Sequence, residues 1–279
     1  MGASVQSLHP VRGRGYTAAE RWRATLDDGR SVFVKLAVDD LTAGWLREEH
    51  AVYSQVTGPF IPELLGWDDD GVAPLLVLPD LGDAFDAPPW TESRVDAVRE
   101  VLDALAATPP PAGLPTADRF DFAARWDNVL ADPHDFLSLG LCSSAWLDAH
   151  GPVLSEAGHA TPFAGTTFAH LDVRGDNIAF IDGRAVLVDW NWASRAAPGL
   201  DLAGWAPSVT AEGGPPPDEI APDAEPGVAA ALAGIWASSA GRPPPPTADP
   251  SLRAKQLELL NVALPWACRL VGLPPPDGG

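Results

Sequence analysis

One segment constrains this chain more than any other: Phe168-Ala169-His170-Leu171-Asp172-Val173-Arg174-Gly175-Asp176-Asn177. Apolar Ile178 to Ile181 follow, then a turn at Asp182-Gly183, then a second apolar run, Ala185 to Val188, that ends in Asp189. The order loop, strand, turn, strand, acid predicts a hairpin that brings the chain back so that Asn177 and Asp189 can face one metal ion. Phosphoryl transfer needs a carboxylate beside the acceptor hydroxyl, an oxygen ligand for magnesium a few residues on, and a second carboxylate on the same metal. Asp172, Asn177 and Asp189 supply that set. A His-x-Asp pair alone is common by chance; the ordered set is not.

At 279 residues the chain can form one large domain or two coupled lobes with a substantial core. Its formal net charge of −20 excludes nucleic acid as a natural partner, because affinity for phosphate backbones comes mostly from Lys and Arg. The same charge favours a cationic substrate, although an acidic surface also serves solubility. Cys142 and Cys268 fit no metal-ligand spacing and read as small apolar core residues. With no run long enough to span a membrane, a soluble, cytoplasmic protein is expected. The 18 basic residues are nearly all Arg, and the lysines are Lys35 and Lys255 alone. A lysine kept against such a bias suggests a position that needs a compact ammonium, for instance between two phosphates.

Along the chain, Val11 to Thr17, Arg21 to Leu26 and Ser31 to Leu36 read as short strands, the last two joined by a hairpin turn at Asp27-Asp28-Gly29-Arg30. Lys35 lies on the strand leaving that hairpin. Leu41, Trp45, Leu46, Val52, Tyr53 and Val56 recur at helical spacing up to Gly58-Pro59 and predict one helix carrying Glu48 and Glu49. Ile61 to Trp67 and Val72 to Leu78 complete a small antiparallel sheet around the acidic turn 68–71. Beyond Thr91 the pattern turns helical: Val95, Val98, Leu102 and Leu105 mark a helix from Ser93 to Ala107, and Leu252 to Leu273 reads as a final amphipathic helix. Proline-rich stretches at 215–217 and 243–246 are expected to be loops or a mobile insertion.

These residues resemble the aminoglycoside phosphotransferase family, relatives of the protein kinases and of choline kinase. His170-x-Asp172-x4-Asn177 is similar to the family's catalytic loop, Asp189 to its metal-binding acid, and Asp201-Leu202-Ala203 to the stretch that follows. The resemblance implies an α+β, two-lobed protein-kinase-like fold: a nucleotide-binding sheet lobe over 1–78, a hinge over 79–83 and a mainly helical lobe over 84–279. It implies ATP and Mg2+ as cofactors, with Asp172 as catalytic base and Asn177 and Asp189 as metal ligands. It also implies that Lys35 holds the phosphates and that Glu49, with Glu48 as adjacent rival, orients Lys35 by an ion pair. Gly13-Arg14-Gly15 resembles a looser form of the phosphate-covering loop, in which Gly13 and Gly15 leave backbone amides open as donors. In the hinge, the Pro79 carbonyl and the Leu81 N–H would meet adenine. Where protein kinases carry Phe-Gly after the metal-binding acid, this chain has Trp190-Asn191-Trp192, so no activation switch follows from the resemblance.

Other residues carry two readings each. Arg174 can stabilise the transferred phosphate or simply pair with Asp176. His170 and Asp201 read as groups that hold the catalytic loop. Trp90, Trp192 and Trp205 can stack on a substrate, though core packing is the simpler reading. His9, His50, His134, His150 and His159 share no spacing and carry no assignment. The acceptor is expected to be a small hydroxylated molecule, with an aminoglycoside or other cationic antibiotic, choline and an amino sugar as candidates. A catalytically silent binding protein of the same fold is the alternative, and it would need a broken base or metal position.

Overall fold

In the computed structural model, which describes residues 2–11, 17–85, 88–245 and 248–278, the first part of the chain is a five-stranded antiparallel sheet with one long helix. The strands are β1 (Val5–Pro10), β2 (Glu20–Leu26), β3 (Ser31–Leu36), β4 (Gly66–Asp68) and β5 (Leu75–Pro79), in the order β1-β2-β3-β5-β4. Gly29 closes the β2–β3 hairpin at φ +84°, a left-handed conformation that costs glycine little. Lys35 pairs with Arg21 on one side and Leu76 on the other, which fixes its side chain in the middle of the sheet.

The first strand lies six residues earlier than the expected Val11 to Thr17. Val5–Pro10 is nearly all exposed, so no apolar alternation marks it. Ladder pairing with β2 holds it, and the Val11 N–H continues that ladder to the Arg21 carbonyl at 2.8 Å. Gly13 and Gly15 lie outside the described residues. Two other strands are shorter than expected. Phe60 and Ile61 are core residues rather than ladder residues, and Pro62 has no N–H to donate, so pairing begins with the Leu65 N–H to the Val77 carbonyl at 3.0 Å and the strand itself at Gly66. Ahead of β5, the Asp70 carboxylate takes the N–H groups of Val72 and Ala73, and Pro74 has none, which delays the strand to Leu75.

Helix α1 (Asp40–Tyr53) starts at a capping box, in which Asp39 accepts from the Thr42 N–H at 2.8 Å and the Thr42 hydroxyl accepts from the Asp39 N–H at 3.1 Å. Its buried stripe is Leu46, Glu49, Val52 and Tyr53, so one carboxylate points inward among apolar side chains.

The rest of the chain is mainly helical: α2 (Glu92–Ala106), α3 (Arg125–Ala131), α4 (His134–Leu137), α5 (Ser144–His159), α6 (Leu200–Ala211), α7 (Pro217–Ile220), α8 (Pro226–Ala237) and α9 (Leu252–Val271). Two small ribbons join them, β6 (Ala164–Ala169) with β9 (Ser194–Ala196) and β7 (Ile178–Ile181) with β8 (Arg184–Leu187). The β7–β8 turn places Asp182 and Gly183 both at positive φ, the geometry that suits the right-handed twist of a two-residue hairpin. One contiguous core runs from Leu46 and Leu76 through Trp190 and Trp205 to Trp266. Trp205 belongs wholly to that core, while Trp90 packs edge-on against it. Pro217 opens α7 rather than lying in a loop, since a proline in the first turn lacks an N–H the helix would not use. Among the described residues, no helix is long and apolar enough to cross a membrane.

Candidate active site

The hairpin β7–β8 sets the geometry. Asn177 lies just before β7 and Asp189 just after β8, and the Val188 N–H donates to the Asn177 carbonyl at 3.0 Å, closing the ribbon where the two side chains emerge. Asp189 adopts φ +69°, outside the β region, which turns its carboxylate away from the ribbon. There it meets Lys35, whose ammonium donates to Asp189 at 2.8 Å and pairs with Glu49. Glu48 faces the other way and binds Arg119 at 2.8 Å. Burial opposes the charge on Lys35, and Asp189 with Glu49 outweighs it, so the ammonium stays protonated more firmly than a free lysine. The same burial works against the Asp189 carboxylate, but Lys35 lowers its pKa well below the usual carboxylate range. Glu49 shares that ammonium from a drier position, and burial pushes it up to about 8 against the pull of Lys35.

The catalytic-loop candidates stand on the other side of Asp189. The Asn177 amide donates to both the Asp172 carbonyl and its carboxylate, at 2.9 Å each. With both amide protons directed at Asp172, the side-chain oxygen of Asn177 is left as the acceptor or ligand atom. Arg174 lies 3.3 Å from Asp172 and 3.2 Å from Asp176, so its ion pairs include the one expected to Asp176 and a second to the candidate base. Burial raises the Asp172 carboxyl to about 7, with Arg174 pulling against it.

A second layer holds this loop. Leu171 sits at φ +61°, a strained conformation for a branched side chain, and its N–H donates to Asp201 at 2.7 Å while the His170 N–H donates to the same carboxylate at 2.8 Å. His170 is fully buried: its Nδ1 accepts the Asp172 N–H at 3.2 Å, which leaves Nε2 to donate to the Val188 carbonyl at 3.0 Å. Burial pushes its pKa down to about 4, so the ring is neutral and braces the loop. Asp201→Ala would strand two buried N–H donors, and we expect a loss of about 2–4 kcal/mol in stability. A urea titration reads this as a lower midpoint, with Asp201→Asn, which keeps one acceptor oxygen, falling between; an unchanged midpoint would show that the loop needs no such brace.

Sequence reasoning missed several neighbours. Glu212 lies directly against Gly175, where any Cβ would run into its carboxylate, and it accepts from Trp90 and Lys255 at 3.1 Å each. The retention of Lys255 in an Arg-dominated chain was the available signal for this cluster. Arg23 binds Asp80 at 2.6 Å, and Asp80 also accepts from Ser31 at 2.6 Å and from the Gly82 N–H at 3.0 Å, so the segment after β5 is tied to the β2–β3 hairpin.

Two cavities meet at these residues. The smaller, about 220 Å³, is lined by Phe33, Lys35, Leu78, Pro79, Leu81 and Asn177 among others. The larger, about 400 Å³, opens beside Asp172 and Arg174 and has Trp192 in its wall. Asp189 lines both. Among the described residues no cluster of three or more His, Cys, Asp or Glu side chains could hold a metal by itself. A hard cation that takes most of its ligands from phosphate and water needs only one or two protein oxygens, which is what Asn177 and Asp189 can offer.

No protein-family model and no curated protein matches the sequence. Solved structures do match in fold. A choline/ethanolamine kinase family protein from Mesorhizobium loti superposes with a TM-score of 0.57 at 14% identity, covering 95% of this chain and 91% of its own. An amicoumacin kinase in complex with AMP-PNP and Ca2+ gives 0.54 at 10% identity, with 91% and 88% covered. A macrolide 2'-phosphotransferase type I gives 0.52 at 17% identity, with 97% and 88% covered. The chain thus shares the α+β fold of these solved structures, an antiparallel sheet followed by a mainly helical part.

Proposed function

We propose that the protein is an ATP-dependent O-phosphotransferase that moves the terminal phosphate of ATP onto a hydroxyl of a small molecule. The observation that carries this reading is the shared wall of the two cavities: Asp189 faces both, and Asn177 on the smaller side is hydrogen-bonded to Asp172 on the larger. Donor phosphate and acceptor hydroxyl can therefore approach one another across a single carboxylate. The nucleotide occupies the smaller cavity, between a nucleotide-binding lobe over 1–78 and a catalytic lobe over 84–279, with 79–83 as hinge. Lys35 neutralises its phosphates and Glu49 keeps the ammonium aimed. Asn177 and Asp189 would hold Mg2+, which, when bound, neutralises charge on the phosphates. Asp172 orients the acceptor hydroxyl and takes its proton, and Arg174 balances charge on the group in transit. That a neighbour of the same fold was solved with AMP-PNP and Ca2+ supports a nucleotide and a divalent cation here.

The test is nucleotide-coupled turnover against a panel of hydroxylated amines, sugars, antibiotics and apolar alcohols, with mass spectrometry of each product. A product heavier by one phosphoryl group supports the reading. Nucleotide binding with no product from any acceptor would instead make this a silent binding protein, and a product only on a protein side chain would redirect it to another substrate class.

Base preference follows from the hinge. Adenine offers an amino donor and a ring-nitrogen acceptor, which suit one backbone carbonyl and, two residues on, one N–H; Pro79 and Leu81 can provide that pair. Guanine presents an oxygen where adenine has its amino group, and Pro79 has no N–H to meet it. One unmet buried polar group corresponds to a preference of about tenfold in kcat/KM for ATP over GTP. Equal use of the two nucleotides would overturn the hinge assignment and leave phosphoryl transfer intact.

A further inference from the structure

Helix α8 is apolar around its whole circumference, from Val228 through the alanines to Trp236. Such a helix is normally buried on every side. Here it packs on α9, α5, α3 and α6. The residues at the spacing of one face, Val228, Ala231, Leu232 and Ile235, line the larger cavity. Trp45, Phe122, Phe163 and Trp192 add aromatic side chains to the lining of the cavity that Asp172 also lines. At the rim stands Leu41, a large apolar side chain left 58% exposed. Phe122, Phe163, Val228 and Ala231 are buried beneath this surface, while Trp45, Trp192, Leu232 and Ile235 are half-buried, so with Leu41 they leave apolar surface open to the cavity.

The charges of this cavity point the same way. Its carboxylates among the described residues are Asp39, Asp172, Asp189 and Asp201, and each already has a partner within the protein. Asp39 caps α1 through Thr42, Asp189 pairs with Lys35, Asp201 accepts two backbone N–H groups, and Asp172 is held by Asn177 and Arg174. Two cations line the same space, Arg174 and Lys255, the latter paired with Glu212 at 3.1 Å and Glu258 at 3.6 Å. An acceptor with several ammonium groups would have to bury them against tryptophan, phenylalanine and leucine with no spare carboxylate to meet them, which costs far more than the net acidity of the chain returns through solvent. The chain's charge of −20 is not concentrated where the acceptor binds.

We infer that the acceptor is a bulky, predominantly apolar alcohol carrying at most one positive charge, and not a polycationic polyol. The inference rests on the phosphotransferase reading for its term "acceptor". Its size follows from the cavity of about 400 Å³, which lies in the range of drug-sized ligand sites. Its recognition is mainly the burial of an apolar body against α8 and those aromatic side chains, with Asp172 and Arg174 meeting the one hydroxyl that reacts.

Two readouts separate this inference from the reading beneath it. The first is binding without nucleotide, followed by quenching of the tryptophans that line the cavity, with hydroxysteroids, terpene alcohols and macrocyclic lactones in one arm, kanamycin and neomycin in a second, and choline in a third. The second is phosphorylation of the same compounds with ATP and Mg2+. We expect the tightest ligand to come from the apolar arm, at least tenfold ahead of either polycation, with affinity held or improved between 50 and 500 mM NaCl, about the range over which screening weakens charge attraction. Leu41→Asp keeps the fold, because a carboxylate suits the first turn of a helix, and it should weaken the best apolar ligand by about tenfold with the KM for ATP unchanged. Tightest binding or lowest KM for kanamycin, neomycin or choline, or an apolar arm indifferent to Leu41→Asp, overturns the inference while phosphoryl transfer stands. Apolar ligands that bind tightly but are never phosphorylated would support the cavity's preference and remove the phosphotransferase reading.

Discussion

Asp172→Ala is expected to lower kcat by about 10²–10⁴-fold, the usual contribution of a positioned general base, while the Kd for ATP stays within about threefold of wild type. The split follows from where the side chain stands. Asp172 lines the larger cavity and not the smaller one, and its contacts are Asn177 and Arg174, not Lys35. Removing it takes away the proton acceptor and leaves the phosphate grip in place. Asp172→Asn sharpens the test, since an amide fills the same volume and can still accept from Asn177 but cannot take a proton at neutral pH. Both variants should therefore fold and bind ATP, and both should fail in single-turnover transfer to an acceptor that the wild-type protein uses. Wild-type turnover in either would show that this carboxylate is not the base. A large loss of ATP affinity would show that it belongs to the nucleotide site instead.

The segment 168–189 was legible in the sequence because its candidate chemistry and its local structure coincide. Asn177 and Asp189 are bound to one another by a hairpin whose turn, Asp182-Gly183, is written in residues that tolerate positive φ. Glu49 was legible only through the resemblance, which left Glu48 as a rival; the structure separates them, since Leu46, Glu49, Val52 and Tyr53 share a buried stripe, where a carboxylate requires a partner, whereas Glu48 is exposed. What stayed hidden depends on tertiary approach. Nothing near Gly175 in sequence says that Glu212 will pack against it, thirty-odd residues on, and nothing near Arg23 marks Asp80. The first strand was misplaced because an exposed edge strand has no apolar alternation, only a ladder. The larger cavity is the clearest case. Helix α8 reads as ordinary core in sequence, and only its docking reveals that Leu232, Ile235 and Trp236 stay half-buried and line a recess. Net charge, the one global cue about the acceptor, averages over the whole surface and so describes solubility better than it describes a recess lined by aromatic side chains.

Lys35→Met should be the most damaging single change to the nucleotide side, because Lys35 neutralises buried charge whether or not nucleotide is present. The side chain is buried, and the ammonium is the common partner of Glu49 and Asp189. With it gone, two carboxylates face one another in a dry site, and breaking a buried pair in this way costs about 3–5 kcal/mol of stability. Part of that loss is recovered if Glu49 takes up a proton, which its burial already favours. Lys35→Met/Glu49→Gln should therefore regain much of the lost melting temperature. It should not regain activity: the ammonium that would meet the phosphates is still missing, and a loss of about 10²–10³-fold in kcat/KM is the scale for one such electrostatic group. Lys35→Arg is the informative control, since it keeps the charge. A planar guanidinium is larger and offers its donors in a fixed fork, so in the slot between Glu49 and Asp189 it should stay charged and pair, yet stand too far forward for the phosphates to seat. Stability near wild type with activity still reduced by about 10²-fold or more is the expected result for Lys35→Arg. If arginine supported full turnover, the compact ammonium would not be what position 35 requires, and the survival of a lysine there in an Arg-dominated chain would need another cause.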